Sequence, residues 1–175
     1  MNDASTTPRS PENDAQADAS PDSAKWDQAR AEEMNALQTR AVFNSGDSKR
    51  NQRSSRARVL GTKWVYKYKP HENRWKARLV VLGYRQHAGD GTFDENKVIA
   101  PTAHQPSIRL LVAKAVQLGW TMNTWDCRNA YMQGKFTSNE EINIKLPANI
   151  GGGIKKLLKP LYGLKQAGRG WGDTL

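Results

Sequence analysis

Hydrophobic and polar positions change period several times along the chain, and each change marks an element. From Val59 the pattern has a period of two. In Lys63-Trp64-Val65-Tyr66-Lys67-Tyr68-Lys69, cations alternate with aromatic or β-branched residues, so a strand would set Trp64, Tyr66 and Tyr68 on one face and the lysines on the other. Pro70-His71-Glu72-Asn73 reads as the turn and Arg74 to Leu82 as the return strand, which together predict a basic hairpin. Upstream the period is helical. Ser20-Pro21-Asp22 offers a cap, a proline suited to the first turn and an acid at the positive dipole end. A helix to about Arg40 follows, with Trp26, Ala29, Leu37 and Ala41 near one face, and Asn44-Ser45-Gly46-Asp47 ends it.

Helical spacing returns at Ser107 to Leu118, where Ile108, Leu111, Val112, Ala115 and Val116 form an apolar stripe and Gly119 supplies the stop. That stripe is expected to be core. Trp120 to Asp126 predicts a strand ending in a carboxylate, Glu141 to Leu146 and Ile154 to Leu158 two more strands, and Gln166 to Leu175 the start of a helix. Residues 1–19 carry no apolar period and are expected to be a disordered acidic tail, followed by a leading amphipathic helix over 20–45 and a basic linker over 46–58. Residues 59–175 carry the remaining pattern.

Charge sharpens this picture through its position. The chain of 175 residues has a net charge of +10, yet its first 24 residues hold five acids against Arg9. Twelve of its 27 basic residues fall within 49–85, where Glu72 is the only acid. So concentrated a field attracts polyanions, because each cation that neutralises a phosphate releases a condensed counterion. A solvated loop that happens to be basic stands level with that reading on composition alone. The stretch from Lys49 to Arg58 is read as an exposed loop ahead of a nuclear-import or nucleic-acid patch. The single cysteine excludes an intrachain disulfide, and no apolar run approaches the roughly 18 residues of a membrane span. An intracellular chain, cytoplasmic or nuclear, with no membrane contact is expected.

Few residues suit chemistry. His71, His87 and His104 have no zinc-finger spacing, no Walker-type glycine loop is present, and Cys127 reads as a small core residue. Asp126 differs. A carboxylate closing a strand, followed by the polar turn Arg128-Asn129-Ala130 and then Tyr131, suits a hard cation such as Mg²⁺; taken alone, it reads more readily as a helix cap.

The surrounding blocks decide how Asp126 is read. Gly61-Thr62-Lys63-Trp64-Val65-Tyr66-Lys67, Trp75-Lys76-Ala77-Arg78-Leu79-Val80, Pro106-Ser107-Ile108-Arg109-Leu110-Leu111, Trp125-Asp126-Cys127-Arg128-Asn129-Ala130-Tyr131 and Leu161-Tyr162-Gly163-Leu164-Lys165-Gln166-Ala167-Gly168-Arg169-Gly170-Trp171 stand in order. Together they resemble the reverse transcriptase region of Ty1/copia-type retrotransposon polyproteins. The helix with Trp26, Glu33 and Leu37 resembles the segment leading into it. The resemblance implies an α+β fold, the fingers and partial palm of a right-hand polymerase. It also implies two-metal nucleotidyl transfer with Mg²⁺, and RNA template, DNA primer and deoxynucleoside triphosphates as partners. Asp126 matches the first metal-binding aspartate, with the Cys127 carbonyl beside it. Lys76 and Arg78 fall in the segment that holds the triphosphate, and Tyr131 where an aromatic crowds the sugar 2′ position. Gln166 falls near nucleotide and template, and Lys63, Lys67, Lys165 and Arg169 border the nucleic acid.

Four positions depart from the motif: Cys127 for Val, Tyr131 for Phe, and Gly168 and Gly170 for Pro and Ala. Each glycine loses helix propensity on the order of 1 kcal/mol. No Asp-Asp pair occurs in the sequence, so the Tyr-x-Asp-Asp hairpin that would complete the metal site is absent from these residues. The expectation is a fragment truncated before that hairpin and the thumb, without polymerase activity of its own. A non-catalytic basic nucleic-acid-binding module and a retroelement remnant that does not fold are the alternatives.

Overall fold

The computed structural model describes residues 8–44, 59–136 and 141–175. Within them the chain is α+β, built on a mixed four-stranded sheet. Strands β1 (Val59–Lys69) and β2 (Arg74–Val81) form the expected antiparallel hairpin, with Trp64 opposite Leu79, Tyr66 opposite Ala77 and Lys67 opposite Lys76. Pro70 opens the turn and Asn73 closes it at φ 44°, a left-handed position that asparagine tolerates. Strand β3 (Asn143–Lys145) pairs parallel to β1, and β4 (Ile154–Lys156) antiparallel to β3, giving the order β2-β1-β3-β4. Both are shorter than the strands expected at 141–146 and 154–158.

The period-two pattern of β1 places its aromatics as expected. Trp64 and Tyr66 are buried, whereas Lys63 and Lys67 face solvent. Their inner face is covered by the leading helix. Two helices precede the sheet, α1 (Asp14–Asp18) and α2 (Ser23–Thr39), and α2 buries Trp26, Ala29, Arg30, Glu33 and Leu37. Trp26 meets the Tyr66 ring edge-on at 5.4 Å. Beyond α2, Ala41 turns at φ 48° and lies exposed, not on the buried face. Val42 and Phe43 then run beside the segment after β4, where Leu158 N–H donates to the Val42 carbonyl at 2.8 Å and Phe43 bridges Leu157.

Residues 8–19 differ from the disordered tail expected of their composition. Asn13 caps α1 through its side chain, and Ala17 is fully buried. The acids that suggested disorder are the groups that fasten the segment. Tyr66 donates to Asp14 at 2.9 Å, Asn149 donates to Asp14 at 3.2 Å, and Asp18 meets the Arg30 guanidinium at 2.6 Å. Tyr68 N–H donates to Ser10 Oγ at 2.8 Å. The partners are remote in sequence, so local composition does not reveal them. The linker expected at 46–58 lies outside the described residues.

Helix α3 (Gln105–Leu118) forms where the 3.6-residue period placed it and is capped at Gly119, φ 65°. Its stripe is not core. Only Ala115 is buried; Ile108, Leu111, Val112 and Val116 are exposed, Val116 by 77%. The strand expected over 120–126 does not form either, because no described strand lies alongside to pair with it. Cys127, expected to be a small core residue, is exposed for the same reason. The short helices α4 (Ala130–Gln133) and α5 (Ala167–Gly172) pack together. The segment just after α4 approaches α5 so closely that a Cβ at Gly170 would stand 2.4 Å from the Lys135 carbonyl. Its low helix propensity is therefore offset by a contact that alanine would prevent. No helix of the described residues is long and apolar enough to cross a membrane.

Candidate functional site

Strand β2 forms one edge of the sheet, and its alternation decides which side chains leave the core. Ala77, Leu79 and Val81 are buried, so Arg74, Lys76 and Arg78 share the opposite face. The hairpin register sets Lys67 opposite Lys76 and Lys69 opposite Arg74. Like charges directly across a pair of strands destabilise it. This arrangement favours an anion over the hairpin, not the hairpin itself.

Lys76 and Arg78 open into a cleft of about 740 Å³ whose other walls come from α2 and from residues 126–130 with Tyr162. Helix α2 contributes Ala29, Glu32, Glu33 and Ala36, the alanines leaving room for the longer side chains, and Arg40 joins them from the helix's C-terminal cap. Six cations and four carboxylates line the space. Part of that charge is already matched: Lys69 pairs with Glu72, and Arg74 reaches Glu32 at 3.9 Å. Among the described residues, no carboxylate lies within ion-pair distance of Lys76 or Arg78. Burial holds the Lys76 ammonium below its ordinary value, and the charges of Arg78, Lys69 and Arg74 push the same way. An incoming anion would relieve all three.

Tyr162 closes the cleft floor. Its carbonyl accepts from Val81 N–H at 2.8 Å, which docks the turn onto the end of β2. The Arg78 guanidinium lies 4.9 Å over its ring, and Tyr131 stacks against it at 5.2 Å. Burial pushes the Tyr162 phenol up, so it remains an O–H donor at neutral pH. The next residue, Gly163, sits at φ 91°, with a hypothetical Cβ 2.1 Å from the Val81 carbonyl. Only glycine lets this turn lie against β2.

Asp126 is exposed and lines the same cleft, 48 positions in sequence from Arg78. Cys127 and Arg128 line it too, and Asn129, at φ 56°, turns the chain into α4, which Met132 anchors in the core. Tyr131 does not line the cleft but backs Tyr162. Gln166, expected beside the nucleotide, is fully buried away from the cleft. It donates to the Thr92 carbonyl at 2.8 Å and accepts from Gln86 at 3.2 Å, tying α5 to the loop after β2. Lys165 lies 4.5 Å over the Phe93 ring and donates to the Gln86 carbonyl, and Arg169 pairs with Asp173 at 2.9 Å. Lys63 and Lys67 lie on the solvent face of β1. Glu33 and Tyr162 were assigned no role by sequence reasoning. For Glu33 a signal existed: it stands at helical spacing between Trp26 and Leu37, on a face that must be buried.

The model of the family described as reverse transcriptase (RNA-dependent DNA polymerase) matches residues 50–175, which include all of the hairpin, Asp126 and Tyr162. The chain belongs to this family. Among curated proteins, the chain is similar to the retrovirus-related Pol polyprotein from transposon RE1 of Arabidopsis thaliana, 33% identical over 67% of the chain and 8% of that protein. It is also similar to that from transposon TNT 1-94 of Nicotiana tabacum, 31% identical over 93% of the chain and 12% of the polyprotein. The Ty1-DR4 Gag-Pol polyprotein of Saccharomyces cerevisiae is 26% identical over 86% of the chain and 9% of its own length. The chain thus spans about a tenth of these relatives, which are copia- and Ty1-type retrotransposon proteins. No solved structure matches it.

Reverse transcriptases use divalent metal, and the donors available to it here are few. Among the described residues no group of three or more His, Cys, Asp or Glu is arranged to hold a metal ion. Asp126 is a single exposed carboxylate, and the Cys127 carbonyl adds at most one more oxygen. Mg²⁺ gives up its waters reluctantly and needs several placed oxygens. The described residues do not amount to a Mg²⁺ site.

Proposed function

We propose that this chain is the fingers and first part of the palm of a retrotransposon reverse transcriptase, and that its cleft receives the incoming deoxynucleoside triphosphate. The observation that carries this reading is the meeting of Lys76, Arg78 and Asp126 in one cleft, where Lys76 and Arg78 lack ion-pair partners among the described residues. Lys76 and Arg78 take the phosphates, Arg78 being held in aim by the Tyr162 ring. Asp126 is the reaction-centre carboxylate among the described residues, with the Cys127 carbonyl beside it. Tyr131, braced on Tyr162, stands nearest the sugar, and Gln166 acts through the loop it fastens. Template and primer lie along Lys63, Lys67, Lys165 and Arg169. The isolated chain binds nucleotide but does not polymerise, since one exposed carboxylate cannot organise the metal chemistry.

Titration calorimetry with a deoxynucleoside triphosphate at low salt tests the binding. Arg78→Ala is expected to weaken it roughly tenfold or more, the loss of one charge-assisted contact. Equal affinity in wild type and Arg78→Ala would refute the assignment. Magnesium-dependent primer extension by the purified chain, abolished in Asp126→Ala, would refute the inactivity.

A further inference from the structure

The carboxylate of Glu33 is the one charged group in the cleft that is both buried and incompletely bonded. The residue is 7% exposed, and Oε1 has no hydrogen-bond partner. The backbone N–H of Leu79 donates to the carboxylate, so Glu33 meets the free edge of β2 just past Arg78. Its charge faces Arg78, Lys76 and Arg40. It enters from α2, outside the segment matched by the family model.

A buried carboxylate without full partners is costly, and structure alone gives no reason to keep one here. A glutamine would accept the same Leu79 bond and fill the same space. What glutamine would not supply is a fixed negative charge beneath a cluster of cations that repel one another. Lys76 feels Arg78, Lys69 and Arg74, and Glu33 is the acid that acts on it in the opposite sense.

We infer that Glu33 is a positioning residue of the nucleotide cleft, a resident counter-ion that keeps Lys76 and Arg78 drawn inward for the phosphates. This rests on the reading of the cleft as a triphosphate site. The anion does not contact substrate. It acts through the two cations, and it opposes their tendency to swing into water.

The test compares the full chain with Glu33→Gln by two measurements, after thermal melts establish that both are folded. In the first, Lys76 is titrated by NMR on ¹³C-lysine-labelled protein, with Lys76→Arg for assignment. Its midpoint is expected to fall by about half a unit or more when the anion is removed. In the second, inorganic tripolyphosphate is titrated calorimetrically at low salt, and the variant is expected to bind about fivefold or more weakly. An unchanged Lys76 midpoint overturns the inference. So does equal or tighter tripolyphosphate binding by Glu33→Gln, the result expected if Glu33 merely repels the anion. A fall in the Lys76 midpoint with no binding by wild type supports the coupling and refutes the triphosphate reading instead.

Discussion

Replacing Gly163 by alanine perturbs the joint that carries Tyr162 onto β2. Two penalties add at this position. The residue sits at φ 91°, where a side chain costs on the order of 1 kcal/mol or more. The new Cβ would also stand 2.1 Å from the Val81 carbonyl and 2.7 Å from Val80 Cγ1, distances that a folded chain does not tolerate. Relief requires the turn to back away from the strand, and the 2.8 Å bond from Val81 N–H to the Tyr162 carbonyl is then lost, about 1 kcal/mol. With the packing of Tyr162 on Tyr131 and Arg78 loosened as well, the expected destabilisation is about 3 kcal/mol, or roughly 6–12 °C in melting temperature for a chain of this size. Urea denaturation followed by circular dichroism measures the first figure and a thermal melt the second. Gly172→Ala is the matched control. It lies in α5 with nothing within 4 Å of its Cβ, and alanine there should stabilise by about 0.5–1 kcal/mol. A Gly163→Ala chain within about 0.5 kcal/mol of wild type would refute the docking of this turn as the support of the cleft floor.

Tyr66→Phe removes the donor to Asp14 but leaves the ring against Trp26. A loss of about 1 kcal/mol is expected, with hydrogen exchange accelerated in α1 and unchanged in β1; equal protection of α1 in both chains would refute the tether. Burial raises the Glu33 carboxyl above its ordinary value, so the folded state binds its proton more tightly than the unfolded chain. That contribution is fully present below the ordinary carboxylate range and is lost as pH rises through the raised value. Glu33→Gln should therefore be the more stable chain at neutral pH, with the gap closing on acidification, and denaturation midpoints from pH 4 to 8 would refute this if the gap stayed constant.

Local pattern identified the elements whose signals are local. The hairpin is such a case, since alternation and a Pro-to-Asn turn need no knowledge of the rest of the chain. Helix α3 is another, down to its stop at Gly119, yet its apolar stripe was misread as core. Spacing shows which residues share a face, not whether anything covers that face. The segment 120–126 has a strand's composition and no partner, and a strand without a ladder does not form. The error at residues 8–19 runs the other way. Acids that looked solvating are bonded to Arg30, Tyr66 and Asn149, partners 12, 52 and 135 positions away. At the cleft, Lys76, Arg78 and Asp126 were named through the family resemblance, and the fold sets all three along one cleft; Gln166, named the same way, is buried in a tie between α5 and a loop, a contact across 74 positions that motif order does not reveal. Glu33 was overlooked because a charged residue on an apolar face reads as an interruption.

The two charged residues that α2 buries show why that interruption matters. Arg30 meets two acids through one nitrogen, Nη2, Asp18 at 2.6 Å and Asp27 at 2.7 Å, and the Asp18 pair fastens α1 to α2, while its buried Nη1 has no hydrogen-bond partner. Burial pulls its pKa down, but the Asp18 hydrogen bond and the charges of Tyr66, Asp18 and Asp27 outweigh it and leave the value raised. Glu33, one turn further on, is unmatched and carries a raised pKa, which for an acid is the mark of a charge held at a cost. The same helix therefore gives one buried charge its counter-ions and leaves the next without an ion pair. Like charges also gather beside the cleft, where Lys67 opposes Lys76 and Lys69 opposes Arg74 across the hairpin. Unpaired charges gathered at one place, on a helix that supplies Arg30 with anions a turn away, favour a site tuned for an anion that is not part of the chain.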